Sequence, residues 1–280
     1  MASSPPLALR GLSASDRRET ERFLLRSPVE NLFLLGVIEE HGMLPGFLGS
    51  FEGATLRALL FVAGGRSGVP FVPEPGAYEG WAAMAAAIRP GGRIVGARDA
   101  VEPLWHALRA RLGGVKPVLD RPQMLYSLEV GTLRRRVQSE LRAATYRDLD
   151  AVVVAHAGMV QEDEGYDPQV VAPDRFRRSI LARIERGRVF IAEEGGQTLF
   201  KVDLSARSRH GAQFAGVWTA PRHRRRGIAS RCLADLAGRL IGDCPRVTLH
   251  VNRENTPAIR TYEAVGFRAA MDFRMVVLGY

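Results

Sequence analysis

The segment RHRRRGIAS, residues 222–230, places basic side chains and a glycine directly before a sequence typical of a helix. Arg224, Gly227 and Ala229 form an RxxGxA arrangement. The first N–H groups of a helix have no intrahelical acceptor and lie at the positive end of the helix dipole, so such a turn can bind a phosphate or pyrophosphate. Gly227 has no Cβ to obstruct that ligand. The segment has neither the GxxxxGK[ST] of a P-loop nor the GxGxxG of dinucleotide-binding folds.

Two other interpretations of these arginines stay open. A basic turn before a helix is often solvated surface without a ligand. A nucleic-acid-binding protein would use the same arginines, together with Arg134–Arg136, as phosphate contacts. No aromatic side chains for base stacking alternate with either run, which argues against nucleic acid. The net charge of +9 decides little, because 37 of the 39 basic residues are arginine, an imbalance that codon bias can produce.

A second stretch with chemical potential is LHVNRENTPAIRTYEAVGF, residues 249–267. Val247–Val251 predicts a buried strand. A helix then begins with Asn255 or Thr256 as its N-cap and ends at Gly266. Asn255, Ile259 and Tyr262 follow at spacings of four and three, so they share one face of that helix. The pattern holds an amide and a phenol beside the predicted phosphate site.

Together, the RxxGxA turn and the string LxVNxxNxxAxxxYxxxGF resemble motifs A and B of the GCN5-related N-acetyltransferase (GNAT) superfamily, over roughly residues 140–280. The resemblance implies acetyl-coenzyme A as co-substrate, with its pyrophosphate on the amides of 224–230 and its pantetheine arm beside 217–219. The implied cofactor-binding residues are Val217, Trp218, Thr219, Arg224, Arg225, Arg226, Gly227, Ile228, Ala229, Ser230, Asn252, Asn255 and Tyr262.

The resemblance also implies that Tyr262 is the general acid. A phenol with a pKa of about 10 is protonated at neutral pH and can protonate a departing thiolate whose conjugate acid has a pKa of about 8.5. The alternative role for Tyr262 is core packing on an amphipathic helix. Asn255 binds the cofactor or serves only as a helix cap, and Asn252 is also compatible with turn chemistry at a strand end.

The base and the acceptor site are sought in QEDEGYD, residues 161–167, which we predict to be an acidic loop. Glu162 is assigned as the catalytic base, and Glu162 and Glu164 as the residues that bind a cationic amine. Solvated surface is the alternative for this loop. The other candidates for the base are Glu193, Glu194 and His250.

The function that follows is an acetyl-CoA-dependent N-acetyltransferase. It would move an acetyl group to a primary amine of a small molecule or peptide by direct transfer in a ternary complex. Cys232 has no paired His or acid, so we assign it to packing rather than to an acyl-enzyme. The spacing of the cysteines Cys232 and Cys244 predicts no metal site. The alternative is a non-catalytic regulatory module that binds acetyl-CoA or CoA.

The surrounding elements divide the chain into 1–130, a polar basic linker at 131–140, and 141–280. Each half is predicted as α/β (α+β), a mixed and mostly antiparallel sheet flanked by helices, which makes two GNAT-like domains in tandem. The front half has no RxxGxA turn, and PEPGAYEGWAAM is acidic where a phosphate needs positive charge. We interpret it as a degenerate GNAT-like domain that has lost cofactor binding.

The composition indicates the broad class of protein. Apolar residues make up 46% of 280 positions, which indicates a folded protein. No run reaches the eighteen apolar residues of a membrane span, and the N-terminus lacks the pattern of a secretory signal, so we expect a cytoplasmic protein without membrane contact. A homodimer is left open.

Overall fold

The computed structural model describes residues 7–64 and 66–278. They divide into two compact units. Unit 1 comprises Met1–Leu125, His250–Glu254 and Ala269–Tyr280, and unit 2 comprises Tyr126–Leu249 and Asn255–Arg268. The segment 131–140, predicted as a linker, lies inside unit 2, and the last residues of the chain group with unit 1.

Helices and strands are distributed over both units. The helices are α1 (Arg17–Leu24), α2 (Leu32–His41), α3 (Trp81–Ala86), α4 (Arg98–Arg111), α5 (Leu149–Glu164), α6 (Pro168–Val171), α7 (Pro173–Glu185), α8 (Ile228–Leu240) and α9 (Thr256–Val265). The strands are β1 (Ala8–Gly11), β2 (Phe47–Glu52), β3 (Thr55–Ala63), β4 (Ser67–Phe71), β5 (Arg93–Ala97), β6 (Leu119–Glu129), β7 (Arg142–Ala143), β8 (Val189–Glu194), β9 (Gln197–Ser208), β10 (Gly211–Thr219), β11 (Arg246–Asn252) and β12 (Arg268–Val277).

Unit 1 contains a mixed sheet with the strand order β1-β2-β3-β4-β5-β12. Neighbouring strands are antiparallel except β4 and β5, which are parallel. Strand β3 shows why both faces carry helices, because its side chains alternate. Leu59 and Phe61 join the core beneath α1 and α2, whereas Leu60 and Val62 join the core beneath α3 and α4.

The last strand of the chain, β12, is continuous from Arg268 to Val277. Residues from Phe273 to Val277 pair antiparallel with β5. Arg268–Val277 contains no glycine or proline, the residues that interrupt strands most strongly.

The sheet strands of unit 2 follow the order β7-β8-β9-β10-β11, antiparallel except for the parallel pair β10 and β11. Asp148 is the N-cap residue of its helix α5, although the Asp148 side chain makes no capping hydrogen bond to that helix. The Asp148 carboxylate accepts hydrogen bonds from Thr145 N at 2.7 Å and from Arg142 at 2.8 Å. The hydrogen bond from Arg142 outweighs burial and holds the pKa of Asp148 well below its usual range.

The segment 131–140 has no helix or strand, as predicted for a connection, but it is held in place within unit 2. Arg134 N donates to Val265 O at 3.0 Å. The buried carboxylate of Asp235 on α8 accepts from Ser139 N at 2.9 Å and from Ser139 Oγ at 2.6 Å. The connection is therefore a packed part of unit 2.

Gly266 at the end of α9 marks the tightest point of that packing. Its φ is +121°, and a Cβ at this position would overlap the carbonyl oxygen of Thr132.

We expect Gly266→Ala to lower the free energy of unfolding by about 3 kcal/mol, because it combines backbone strain with a backbone clash. Chemical denaturation measures this. Gly187→Ala is the matched control, because Gly187 has a φ of +64° and open space around it, so strain alone should cost about 1 kcal/mol. Equal losses for both variants would contradict the role of the Thr132 contact.

Candidate active site

The turn between β10 and α8 has an unusual backbone. Arg224 is extended, with φ −68° and ψ 161°, and Gly227 is left-handed, with φ 72° and ψ 8°. Arg225, with a φ of 60°, is the one non-glycine residue with a positive φ in the described part of the chain. Left-handed residues in such a turn direct successive N–H groups into one concave surface, which suits an anion. The sequence suggested Gly227 for this turn but gave no sign of the strain at Arg225.

The start of α8 leaves N–H groups available beside that turn. No side chain caps the first turn of α8. Ser230 Oγ donates to Gly227 O at 2.9 Å, so its hydroxyl tightens the turn. Arg225, Arg226 and Gly227 are exposed. Free N–H groups, a glycine without a Cβ and exposed guanidinium groups together fit a pyrophosphate.

Arg224 has structural partners that the sequence did not predict. Its Nε–H donates to Thr219 O at 3.0 Å, and its Nη2 lies 2.7 Å from both carboxylate oxygens of Glu162. These contacts join the end of β10, the turn and the end of α5. The Arg224 guanidinium therefore fixes the turn. Arg225 and Arg226 are better suited than Arg224 to contact an anion from outside the turn.

Strand β10 is irregular next to this turn. Its parallel register with β11 runs from Ala212↔Val247 to Phe214↔Leu249, whereas β10 itself continues to Thr219. Its register with β9 shifts between Ala215 and Trp218, which marks a β-bulge. The backbone of 217–219, which the resemblance assigns to the pantetheine arm, therefore belongs to a distorted stretch beyond the last β11 pair.

Tyr262 lies on α9 and is 6% exposed. Its ring meets Phe267 edge-on, with 6.1 Å between the centroids. Burial raises the pKa of Tyr262 well above its ordinary value of 10.0, and the negative charge of Asp163 raises it further. The phenol is therefore neutral and holds a proton at physiological pH.

The two asparagines have separate surroundings. Asn255 is the N-cap of α9, and its Oδ1 accepts from Ala258 N at 3.2 Å. Asn252 belongs to unit 1, where its Oδ1 accepts from Gln123 Nε2 at 3.0 Å. The capping role of Asn255 is thus present, and a cofactor role for either residue stays a prediction.

We expected the acidic stretch 161–167 to be a loop, but Gln161–Glu164 form the last turn of α5. Gly165 then ends the helix in a left-handed conformation. The carboxylate of Glu162 is held by Arg224. The sequence interpretation did not single out Asp163, although this residue lies close enough to raise the pKa of Tyr262. Extending the helix through Glu164 would have revealed it, because Asp163 and Glu162 then face different directions.

The other candidates for the base have environments that differ from one another. Glu193 forms an ion pair with Arg142 at 2.7 Å, and Glu194 is exposed. His250, in unit 1, has a buried Nε2 without a hydrogen-bond partner in the described residues, and burial lowers its pKa to about 4. His250 is therefore neutral above that pH.

Neither a nucleophilic cysteine nor a metal site emerges. Cys232 is 2% exposed, and burial raises its pKa to about 11, so it is a thiol packed in the core. Within residues 7–64 and 66–278, no group of His, Cys, Asp and Glu side chains is arranged to hold a metal ion. Over the same ranges, no helix is both long and apolar enough to cross a membrane.

Comparison with known proteins gives one family match and many matches to solved structures. The acetyltransferase (GNAT) family model matches residues 148–267. No curated protein sequence matches the chain significantly.

Solved structures match nearly the whole chain. A Drosophila protein aligns with a TM-score of 0.70 at 14% identity, covering 98% of this chain and 99% of its own. A GCN5-related N-acetyltransferase from Sphaerobacter thermophilus aligns with a TM-score of 0.61 at 14% identity, covering 98% and 97%. A tandem GNAT protein from the clavulanic acid biosynthesis pathway aligns with a TM-score of 0.52 at 17% identity, covering 98% and 99%.

At these identities the likeness of the structures concerns the fold, and it confirms the predicted tandem arrangement of two mixed, mostly antiparallel α/β halves. The family model concerns the sequence of the second half, where the turn, the bulged strand and Tyr262 all lie. Residues 148–267 of this chain are therefore similar in sequence to the acetyltransferase (GNAT) family, and the whole chain is similar in fold to a tandem GNAT protein.

Proposed function

We propose that the protein transfers the acetyl group of acetyl-CoA directly to a primary amine of a small molecule or peptide. The observation that carries this proposal is the turn at 224–227, whose left-handed Arg225 and Gly227 lead into the uncapped start of α8. A strained non-glycine residue persists where the surroundings hold it, and such residues concentrate at functional sites. The anion that this turn suits is the pyrophosphate of CoA.

Different segments of the protein would bind different parts of acetyl-CoA. N–H groups of 226–230 would bind the pyrophosphate, and the exposed side chains of Arg225 and Arg226 would add positive charge. Backbone groups of 217–219, in the bulged end of β10, would bind the pantetheine arm and donate to the acetyl carbonyl. Acetyl-CoA supplies the activated thioester when it is bound.

The residues that would donate a proton and attract the amine also lie in unit 2. Tyr262 keeps its proton at neutral pH and would donate it to the departing sulfur. The acidic last turn of α5, with Glu162, Asp163 and Glu164, would attract a cationic amine towards the same unit. Of these three, Glu162 already has Arg224 as a partner, so its carboxylate acts as a base only if that pair opens.

The test is a thiol-release assay. The full-length protein is incubated with acetyl-CoA and a panel of small amines and peptides, and the acetylated product is identified by mass spectrometry. Release of CoA that depends on an amine, with one acetyl group found per thiol, supports the proposal. Tight binding of acetyl-CoA without turnover on any amine would instead favour the regulatory module that binds the cofactor without chemistry.

The pair between Glu162 and Arg224 gives a separate prediction. Both side chains are more than 40% exposed, at 45% and 42%, so we expect Glu162→Gln to change the free energy of unfolding by less than about 1 kcal/mol. Removing a negative charge beside the phosphate turn should lower the Kd of acetyl-CoA about threefold. If Glu162 anchors Arg224 rather than accepting a proton, kcat should stay within about threefold of wild type.

Isothermal titration and initial rates measure the two effects. Glu164→Gln is the matched control, because it removes the same charge two residues along the chain from the Glu162 that pairs with Arg224. A fall in kcat of about 100-fold for Glu162→Gln alone would contradict the anchoring role and restore Glu162 as the base.

A further inference from the structure

One buried cation stands apart from the arginine-rich surface. Lys201 on β9 is one of two lysines in the chain, the other being the exposed Lys116. The side chain of Lys201 has an exposed fraction of 0%. A buried ammonium is costly unless nearby groups satisfy its hydrogen bonds and balance its charge. Its surroundings therefore show what holds it there.

Three acceptors surround the ammonium. Lys201 Nζ lies 2.7 Å from His156 Nδ1, 2.8 Å from Asp203 Oδ2 and 3.2 Å from Gly216 O. An ammonium has three N–H donors and no acceptor, so these contacts use it completely. An arginine would bring five donors in a rigid fork and would leave some of them unpaired. The chemistry of the site therefore suits lysine.

The charges around Lys201 are arranged to keep His156 as an acceptor. Arg183 Nη1 lies 2.8 Å from the same Asp203 oxygen, so one carboxylate lies between two cations. Burial, followed by the charges of Lys201 and Arg183, lowers the pKa of His156 far below its ordinary value. Burial also lowers the pKa of Lys201, and the Asp203 carboxylate opposes that shift. A neutral His156 offers Nδ1 to the ammonium.

The third acceptor connects this cluster to β10. Gly216 lies between Ala215 and Trp218, where the register with β9 shifts, and its φ is +56°. A Cβ on Gly216 would lie 2.7 Å from Lys201 Nζ and 2.8 Å from Asp203 Oδ2. The ammonium can reach the Gly216 carbonyl only because residue 216 has no side chain. The contact between the buried cation and the bulge therefore requires glycine at residue 216.

We propose that Lys201 is a positioning residue that clamps the Gly216 carbonyl and thereby sets the direction of the backbone groups of 217–219. The catalytic consequence rests on the proposed function, in which those groups bind the pantetheine arm and the acetyl carbonyl. His156 and Asp203 act through Lys201 by holding its other two N–H groups. Among the described residues, no hydrogen bond or ion pair joins the pyrophosphate turn at 224–230 to this cluster, so the amides of that turn should be unaffected.

Two readouts test the clamp, with Lys201→Met as the variant and Lys116→Met as the matched control. In hydrogen exchange, amides of a peptide covering 212–220 should exchange about tenfold faster in the variant, while amides at the start of α8 keep their wild-type rates. In kinetics with an identified amine, kcat should fall about 30-fold while KM for acetyl-CoA stays within about threefold, because misplaced groups harm the chemical step more than binding. The control should match wild type in both.

Other outcomes are decisive too. Unchanged exchange at 212–220 in folded Lys201→Met, or faster exchange everywhere including α8, overturns the clamp. Faster local exchange with unchanged kcat overturns its catalytic consequence. If Lys201→Met does not fold, Lys201→Gln, which keeps an N–H donor, is judged by the same criteria with smaller changes expected. If wild type transfers no acetyl group to any amine, the proposed function fails, and the exchange data alone decide the clamp.

Discussion

Replacing Tyr262 with phenylalanine is expected to lower kcat for acetyl transfer about 100-fold, with the Kd of acetyl-CoA changed by less than about threefold. The ring is 6% exposed and packs against Phe267, so phenylalanine keeps the packing and removes only the hydroxyl. A loss confined to kcat would mean that the proton, rather than the ring, matters in the transition state. Steady-state kinetics and titration calorimetry on the same preparations measure both quantities.

The structure also refines the size and pH dependence of this effect. Burial and Asp163 raise the pKa of Tyr262 above 10.0, so the phenol is a weaker acid than the sequence suggested. The gap to a thiol, whose pKa is about 8.5, is wider, which places the expected effect at the low end of general-acid contributions. The raised pKa keeps the donor protonated as pH rises. Loss of the Tyr262 proton should therefore cause no fall in kcat below pH 10.

Tyr126→Phe is the matched control for this experiment. Tyr126 is also buried, and its hydroxyl donates to Glu263 on α9 at 3.2 Å. Removing that hydroxyl should cost stability of about 1 kcal/mol and leave kcat unchanged. If Tyr262→Phe kept full turnover, or if both variants lost the same activity, Tyr262 would be a core residue and the proton would have to come from elsewhere.

Local sequence rules predicted the elements that carry the site. Gly266 and the N-cap Asn255 bounded α9 because helix ends depend on a few neighbouring residues. The alternation of polar and apolar residues identified the strands for a similar reason. The RxxGxA turn was recognisable because a glycine before a helix has a specific backbone use, and Gly227 indeed adopts the left-handed conformation.

Contacts between distant segments were beyond the sequence. Arg224 was expected to neutralise a phosphate, but Glu162 is 62 residues away along the chain and lies beside it only in the fold. The sequence pointed to no role for Lys201, because its acceptors come from α5, β9 and the β10 bulge. Arg225 was expected to contact the cofactor, but its left-handed backbone was not expected, because a backbone strained by its surroundings leaves no local pattern.

The second large effect is expected at the phosphate turn, where Gly227→Val should raise the Kd of CoA about 100-fold. Gly227 has a φ of 72°, a conformation that a β-branched residue adopts only with strain. The space around Gly227 is open, because the nearest heavy atom to a Cβ would be Ser230 Oγ at 3.9 Å. That space does not relieve the strain, which arises in the backbone. The valine would both distort the N–H groups of the turn and cover the surface where the pyrophosphate lies.

Two comparisons make this test specific to the pyrophosphate. Pantetheine, which lacks the pyrophosphate, should bind wild type and Gly227→Val equally, so the loss should appear only with CoA. Gly238→Ala lies in the interior of α8, where a Cβ would meet only Leu133 at 3.6 Å, and should leave the Kd of CoA unchanged while stabilising the helix by about 0.5 to 1 kcal/mol. An equal loss for pantetheine would mean that the valine damages β10 or the whole unit. Unchanged binding of CoA would remove the turn from the cofactor site altogether, and with it the observation on which the proposed function rests.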